Sequence, residues 1–148
     1  MTIPSTMPDQ TFVKLKRSLT LHEGRENFCY VDTTGRITIG IGYNLSERGI
    51  GNTWIDQQYS DDVHYLYSCF VRDYPWFMQL NEDRQIALVD MSFMGYKKLQ
   101  EFHTMLEALA SHDYAGAAKA MLDSEWAREV KGRAATLSNA MLTGSYDV

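Results

Sequence analysis

The chain has 148 residues, a formal net charge of −5 and 22% charged residues. Its hydrophobic content of 45% is that of a globular chain and excludes wholesale disorder. The acidic balance gives nucleic-acid binding no support, and the length suits a single domain with a sizeable core.

Met1 to Pro8 carries two prolines and no apolar run, so it reads as neither a secretory signal nor a membrane anchor. A first helix is predicted over about 10–22, capped by Asp9, with Phe12, Leu15, Leu19 and His22 on one side at helical spacing. Lys14, Lys16 and Arg17 read as its solvated face. Glu23 closes this helix, and Gly24 stops it, because glycine tolerates positive φ. Nine residues after Glu23, Asp32 opens a tight turn, Asp32-Thr33-Thr34-Gly35. Thr38 follows in an alternating strand. Ile37, Ile39 and Ile41 fall on one face of it, and Thr38, Gly40 and Gly42 on the other, where the glycines leave room for a ligand. A helix end and a hairpin thus supply two carboxylates and a hydroxyl. Cleavage of a glycosidic bond needs such a set: one carboxyl to protonate the leaving oxygen, one to activate water or attack. Each residue alone is ordinary in its place; the joint spacing points to chemistry.

Ser46 to Gly51 reads as a loop. Asn52 or Thr53 caps a long helix that runs to about Asp73, with a break signalled at Ser60-Asp61-Asp62. Val63, Leu66, Phe70 and Val71 form its apolar side, and Tyr59, Tyr67 and Tyr74 read as core aromatics. Pro75 ends it. Asn81 caps a helix over about 82–94 that is apolar almost all round, the pattern of a central, buried helix. Gly95 stops it. Phe102 begins another helix with Met105, Leu106 and Leu109 inward, and Ser111-His112-Asp113 is a loop and cap. Ala115 to Leu122 is an alanine-rich helix, and a last helix covers about 133–142. Cys29 and Cys69 lack CxxC spacing and read as free, mostly buried thiols. A Cys29–His22 nucleophilic pair has no third group to orient it. The histidines show no metal-ligand spacing, so no zinc site is expected, and glycosidic cleavage by two carboxyls needs no metal or organic cofactor.

His22-Glu23-Gly24, Tyr30, Asp32, Gly35 and the run Thr38 to Leu45 spell H-E-G, then Y-x-D-x-x-G, then T-I-G-x-G-x-N-L. The set resembles the signature of the phage-type lysozymes, the endolysin muramidases of tailed phages. Ser124 and Trp126, then Arg133, then Thr143-Gly144-Ser145-Tyr146 are similar to the tail of that family. The resemblance implies an α+β, lysozyme-like single domain over 1–148. Its parts would be an N-terminal helix and β-hairpin lobe at about 10–52, a bridging helix at about 53–73 and a helical lobe at about 74–148. It implies Glu23 as general acid, Asp32 as general base or stabiliser, and Thr38 as a group that helps hold the water. Asn44, Phe93 and Arg133 would bind substrate, with Arg133 paired to Glu23. The chain departs from the family at Asp90-Met91-Ser92-Phe93-Met94-Gly95, which lacks the polar residue usual after the Phe and runs shorter.

The implied function is a muramidase that cleaves the β-1,4 bond between N-acetylmuramic acid and N-acetylglucosamine and lyses bacterial cells as an endolysin. The expected partner is peptidoglycan, with no nucleic acid and no membrane insertion, and a monomer is expected. Such a protein is made in the host cytoplasm. It acts in the periplasm on the cell wall after export or holin release, so a holin or secretion machinery delivers it. Three alternatives stand beside this reading. An antibacterial effector delivered by a secretion system would share the chemistry. A lytic transglycosylase would use one carboxyl, which leaves Asp32 and Thr38 without a task. A non-catalytic wall-binding module would not need Glu23.

Overall fold

A computed structural model describes residues 7–147. Met1 to Thr6, most of the stretch read as neither signal nor anchor, lie outside the described residues. The chain divides into two compact units, one up to Asp56 and one from Gln57 onward.

In the first unit, α1 spans Asp9–Glu23. Pro8, not Asp9, stands at its N-cap, and the Pro8 carbonyl accepts the N–H groups of Thr11 and Phe12. Asp9 becomes the first helical residue, where its charge complements the helix dipole. Gly24, at φ +78°, ends the helix and donates its N–H to the Thr20 carbonyl at 3.1 Å. The predicted inward stripe is not buried: Phe12, Leu15 and Leu19 all remain exposed. The sheet beside α1 is too small to cover a helix of 15 residues.

That sheet has three antiparallel strands in the order β1 (Glu26–Val31), β2 (Ile37–Gly40) and β3 (Tyr43–Asn44). The sequence pattern ran one strand on through Gly42. Instead the chain turns at Gly40 and Gly42, with φ +67° and +66°, and comes back as β3. Only glycine takes such angles without strain, so the two glycines make the turn rather than flank Thr38 on the strand. Burial along β2 is also the reverse of an isoleucine-in pattern. Thr38 is 4% exposed and Ile37 is 49% exposed.

The predicted loop after β3 is a single helical turn, α2 (Leu45–Arg48). The Asn44 side chain caps it by accepting the Glu47 N–H at 3.2 Å. Two bonds tie this turn back to the hairpin. Ile37 N–H donates to Ser46 Oγ at 2.9 Å, and Arg36 pairs with Glu47 at 2.8 Å.

α3 (Asn52–Asp73) is unbroken, and the division between units falls within it. Asp61 and Asp62 do not cap a new helix. Each accepts the side-chain amide of a glutamine four residues earlier, Gln57 and Gln58, at 2.9 and 3.0 Å. Such i,i+4 bonds hold a helix together.

The second unit is all helical around one core. α4 (Glu82–Met91) is capped by Asn81, whose side chain accepts the Arg84 N–H at 3.1 Å. Ala87, Leu88, Val89 and Met91 are buried, but Ile86 and Phe93 are exposed, so the helix is not covered all round. A 3-10 turn (Ser92–Met94) ends at Gly95, and an unpredicted short helix, α5 (Tyr96–Gln100), follows. Its Tyr96 hydroxyl donates to Asp73 at 3.0 Å, which fixes α5 to the end of α3.

Then come α6 (His103–Ala110), α7 (Tyr114–Leu122), α8 (Glu125–Val130) and α9 (Gly132–Thr143). Asp113 and Ser124 cap α7 and α8 with their side chains. The core includes Phe70 stacked on Phe77 at 5.0 Å, with Leu88, Leu99, Leu109 and Leu137. Met91, Met105, Met121 and Met141 fill it further, flexible side chains suited to irregular gaps. Cys69 is buried among these helices, but Cys29 on β1 is exposed, contrary to the expectation of two mostly buried thiols.

Both free cysteines thus differ in environment. No helix of the described residues is long and apolar enough to cross a membrane.

Two leucines of α9 give a test of where the core lies. Leu137 is fully buried and Leu142 is 50% exposed. Leu137→Ala is expected to cost about 2–5 kcal/mol in urea unfolding, and Leu142→Ala under about 1 kcal/mol.

Candidate active site

The Asp32 carboxylate sits inside the turn it opens. The turn closes through Gly35 N–H to the Asp32 carbonyl at 3.0 Å and Asp32 N–H to the Arg36 carbonyl at 2.9 Å. Oδ1 of the side chain accepts three further donors: the Thr34 N–H at 2.8 Å, the Thr34 hydroxyl at 2.7 Å and the Arg36 N–H at 2.9 Å. Gly35, at φ +82°, supplies the left-handed residue that brings the Arg36 N–H round. These bonds, led by the one from the Arg36 backbone and then the Thr34 hydroxyl, hold the Asp32 carboxyl below its ordinary value of 3.8.

Register explains why Thr38 meets it. Tyr30 pairs with Thr38 across β1 and β2. Side chains two apart share a face, so Asp32 projects on the side of Tyr30 and Thr38. The Thr38 hydroxyl lies 3.4 Å from Asp32 Oδ2 and 3.3 Å from the Arg36 carbonyl. It has one proton for two acceptors, and its own lone pairs are left to accept from water. Thr38 also pairs with Asn44 of β3, which puts Asn44 on the same face. The Asn44 side-chain oxygen is used in capping α2.

Glu23 comes to the sheet from the end of α1. Its carboxylate packs on Gly42: a Cβ built there would lie 2.9 Å from Oε2 and 3.3 Å from Cδ. Gly42 therefore serves twice, as a turn residue with positive φ and as the gap that seats an acid. The glycine pattern in the sequence signalled the space, though not which side chain fills it. Glu23 itself is exposed.

The other two predicted residues lie in the helical unit. Phe93 and Arg133 line a groove of about 510 Å³ together with Tyr59, Tyr67, Ile86 and Asp90. The Arg133 guanidinium, predicted to pair with Glu23, is held within this unit by Asp90. Nε donates to the Asp90 carboxylate at 2.8 Å and Nη2 to the Asp90 carbonyl at 2.7 Å. The physical reason is placement at a helix end: Asp90 offers a carboxylate and an end-of-helix carbonyl to one planar fork. Asp90 and Thr34 were missed as partners; a Thr two residues after a turn Asp was the available signal for the second. A larger cavity of about 640 Å³, with Phe102, Met105 and Trp126 among its walls, contains none of the predicted residues. Among the described residues, no group of three or more His, Cys, Asp or Glu side chains could hold a metal ion.

Two outcomes follow from this geometry. Gly42→Ala is expected to lose about 1–2 kcal/mol from its φ alone and to push Glu23 off its seat, read as a lower melting temperature. Asp32→Ala tests the turn. The folded carboxyl lies below the unfolded 3.8, so its stabilisation is complete above that value and is lost as pH falls through the folded one. Asp32→Ala should therefore be less stable than the parent at neutral pH, with the gap closing below about pH 4.

The Phage lysozyme family matches residues 20–140. Over 141 residues, 95% of its length, the chain is 30% identical to the pre-baseplate central spike protein Gp5 of Enterobacteria phage T4. It spans 22% of the length of that protein. The family match takes in Glu23, Asp32, Thr38, Asn44, Phe93 and Arg133 alike. The chain belongs to the phage lysozyme family.

Proposed function

We propose that this chain is a muramidase that hydrolyses the β-1,4 bond between N-acetylmuramic acid and N-acetylglucosamine. The observation that carries the reading is the Asp32 carboxylate, kept ionised by three donors on one oxygen, with the Thr38 hydroxyl beside the other. A fixed anion next to a hydroxyl suits the placing of one water molecule. In this mechanism Glu23 protonates the glycosidic oxygen. Asp32 Oδ2 and the Thr38 hydroxyl direct water to the anomeric carbon and stabilise the oxocarbenium-like charge.

The acids come from opposite ends of β2: the Asp32 turn precedes Ile37, and the Gly42 turn that seats Glu23 follows Gly40. A strand rises about 3.3 Å per residue. Such spacing suits the water route with inversion better than direct attack, which needs the carboxyls closer. Asn44 is proposed to contact sugar from beside Thr38. Phe93 and Arg133 are proposed to bind glycan in their groove, the aromatic ring against a pyranose face and the guanidinium against hydroxyls.

Lysis of the host as an endolysin, after release to the periplasm by a holin, is the first biological reading. The second is favoured by the relative that is a pre-baseplate central spike protein. On that reading the chain cuts the wall as part of a larger assembly. Co-sedimentation with particles separates them: an endolysin stays in the soluble fraction.

The chemistry is tested by digesting purified peptidoglycan and weighing the fragments. The parent protein should release reducing muropeptides, each one water heavier than an anhydro-sugar product. Glu23→Gln should reduce the rate by about 10²–10⁴-fold, with Asp32→Asn also strongly impaired. Glu23→Gln with undiminished hydrolysis would remove the assignment.

A further inference from the structure

The turn that presents Asp32 treats the two carboxylate oxygens differently. Oδ1 receives three donors between 2.7 and 2.9 Å, while Oδ2 has only the Thr38 hydroxyl at 3.4 Å. Two of the three donors on Oδ1 are backbone N–H groups, from Thr34 and Arg36. Any residue at 34 other than proline would supply the first of them. The Thr34 hydroxyl, at 2.7 Å, is the one donor that depends on the side chain. We infer that Thr34 is a positioning residue: its hydroxyl completes the set of donors on Oδ1, fixes the plane of the Asp32 carboxylate and leaves Oδ2 as the oxygen turned to the reacting water. The inference rests on the proposed role of Asp32 and adds to it the side chain that orients it.

The physical basis is the softness of the last torsion of aspartate. Rotation about the Cβ–Cγ bond is broad and roughly two-fold, so each donor added to one oxygen narrows the twist of the plane. Two N–H groups and one hydroxyl converging on one oxygen remove that freedom. A carboxylate has about four lone-pair directions over its two oxygens, so three donors on Oδ1 saturate it and Oδ2 keeps its own. Thr38 consumes little of Oδ2, because its one proton is shared with the Arg36 carbonyl at 3.3 Å.

The charged groups around the turn do not compete for the same task. The Arg36 guanidinium is paired with Glu47 of α2 at 2.8 Å, so their opposite charges largely cancel at Asp32. On β2 the facing group is the neutral Thr38, and the Glu23 carboxylate is seated at Gly42, beyond the far end of that strand. Hydrogen-bond donors thus carry the preference for the ionised form, and the Thr34 hydroxyl is one that mutation can remove.

Thr34 is exposed, so substitution there leaves the core untouched. Thr34→Val keeps the branched shape and the N–H but not the hydroxyl; Thr34→Ala lacks it too; Thr34→Ser retains it. The readouts are a carbon-13 NMR titration of the Asp32 carboxyl and the pH profile of peptidoglycan hydrolysis. Both Thr34→Val and Thr34→Ala should titrate Asp32 at higher pH than the parent. Both should move the acid limb of kcat the same way and lower its plateau by about 3- to 10-fold, with KM little changed. Thr34→Ser should restore both. A parent-like Asp32 titration in the valine and alanine variants, or no rescue by serine, overturns the inference. If the parent protein hydrolyses no peptidoglycan, the proposed activity fails, and the titration still decides whether Thr34 holds Asp32.

Discussion

The carboxylate of Asp32 is built into the turn that displays it. Its Oδ1 gathers the donors that close the hairpin, so the residue that shapes the turn is the residue the turn presents. Loss of those bonds would free the Asp32 side chain and the β1–β2 register together. The register in turn sets Thr38 opposite Tyr30 and Asn44 opposite Thr38. Asn44 then caps α2, and α2 reaches back through Ser46 to Ile37, the first residue of β2, and through Glu47 to Arg36 just before it. A sheet this small has little apolar area to hold it, and side-chain hydrogen bonds take over part of that work.

A comparable economy runs through the helical unit, where α4 clasps α9 at both ends. Near the start of α4, Arg84 donates to the carbonyls of Met141 and Leu142 at 2.8 and 3.2 Å and lies 3.7 Å over the Tyr114 ring. Asn81 adds a bond to the Gly144 carbonyl at 2.7 Å. These donors satisfy the open carbonyls at the end of α9. Near the end of α4, Asp90 takes the Arg133 guanidinium from the first turn of α9. The antiparallel pair is thus pinned by one arginine from each helix, with Leu88 and Leu137 buried in the core. Arg133 can meet a ligand only as half of an ion pair, which fixes its direction and softens its charge.

Much of this architecture was readable in the sequence, wherever a cap or a stop residue marks an end. Gly24, Asn81 and Asp113 bound their helices, and Gly95 the 3-10 turn after α4, as their chemistry predicts. The motif residues Asp32 and Thr38 come together because strand period and turn length leave them one face to share. The misses have common causes. Gly40-Ile41-Gly42 continues an alternating pattern yet folds as a turn, since period alone does not register positive φ. α2 and α5, with four and five residues, are shorter than any helical period can signal. Asp61 and Asp62 look like caps, but glutamines one turn earlier recruit them into the helix. The partner of Arg133 was a tertiary fact: 43 residues separate it from Asp90, and no spacing rule connects them.

Crystals of the Glu23→Gln protein grown with a muramic-acid-containing tetrasaccharide would test the central claim most directly. The account predicts a scissile oxygen within hydrogen-bond reach of the side-chain amide introduced by that substitution. It also predicts an ordered water held between Asp32 Oδ2 and the Thr38 hydroxyl on the opposite face of the sugar, with Oδ1 still bound by Thr34 and Arg36. A glycan seated away from both side chains, or an Asp32 carboxylate swung out of its turn to contact sugar through Oδ1, would contradict it.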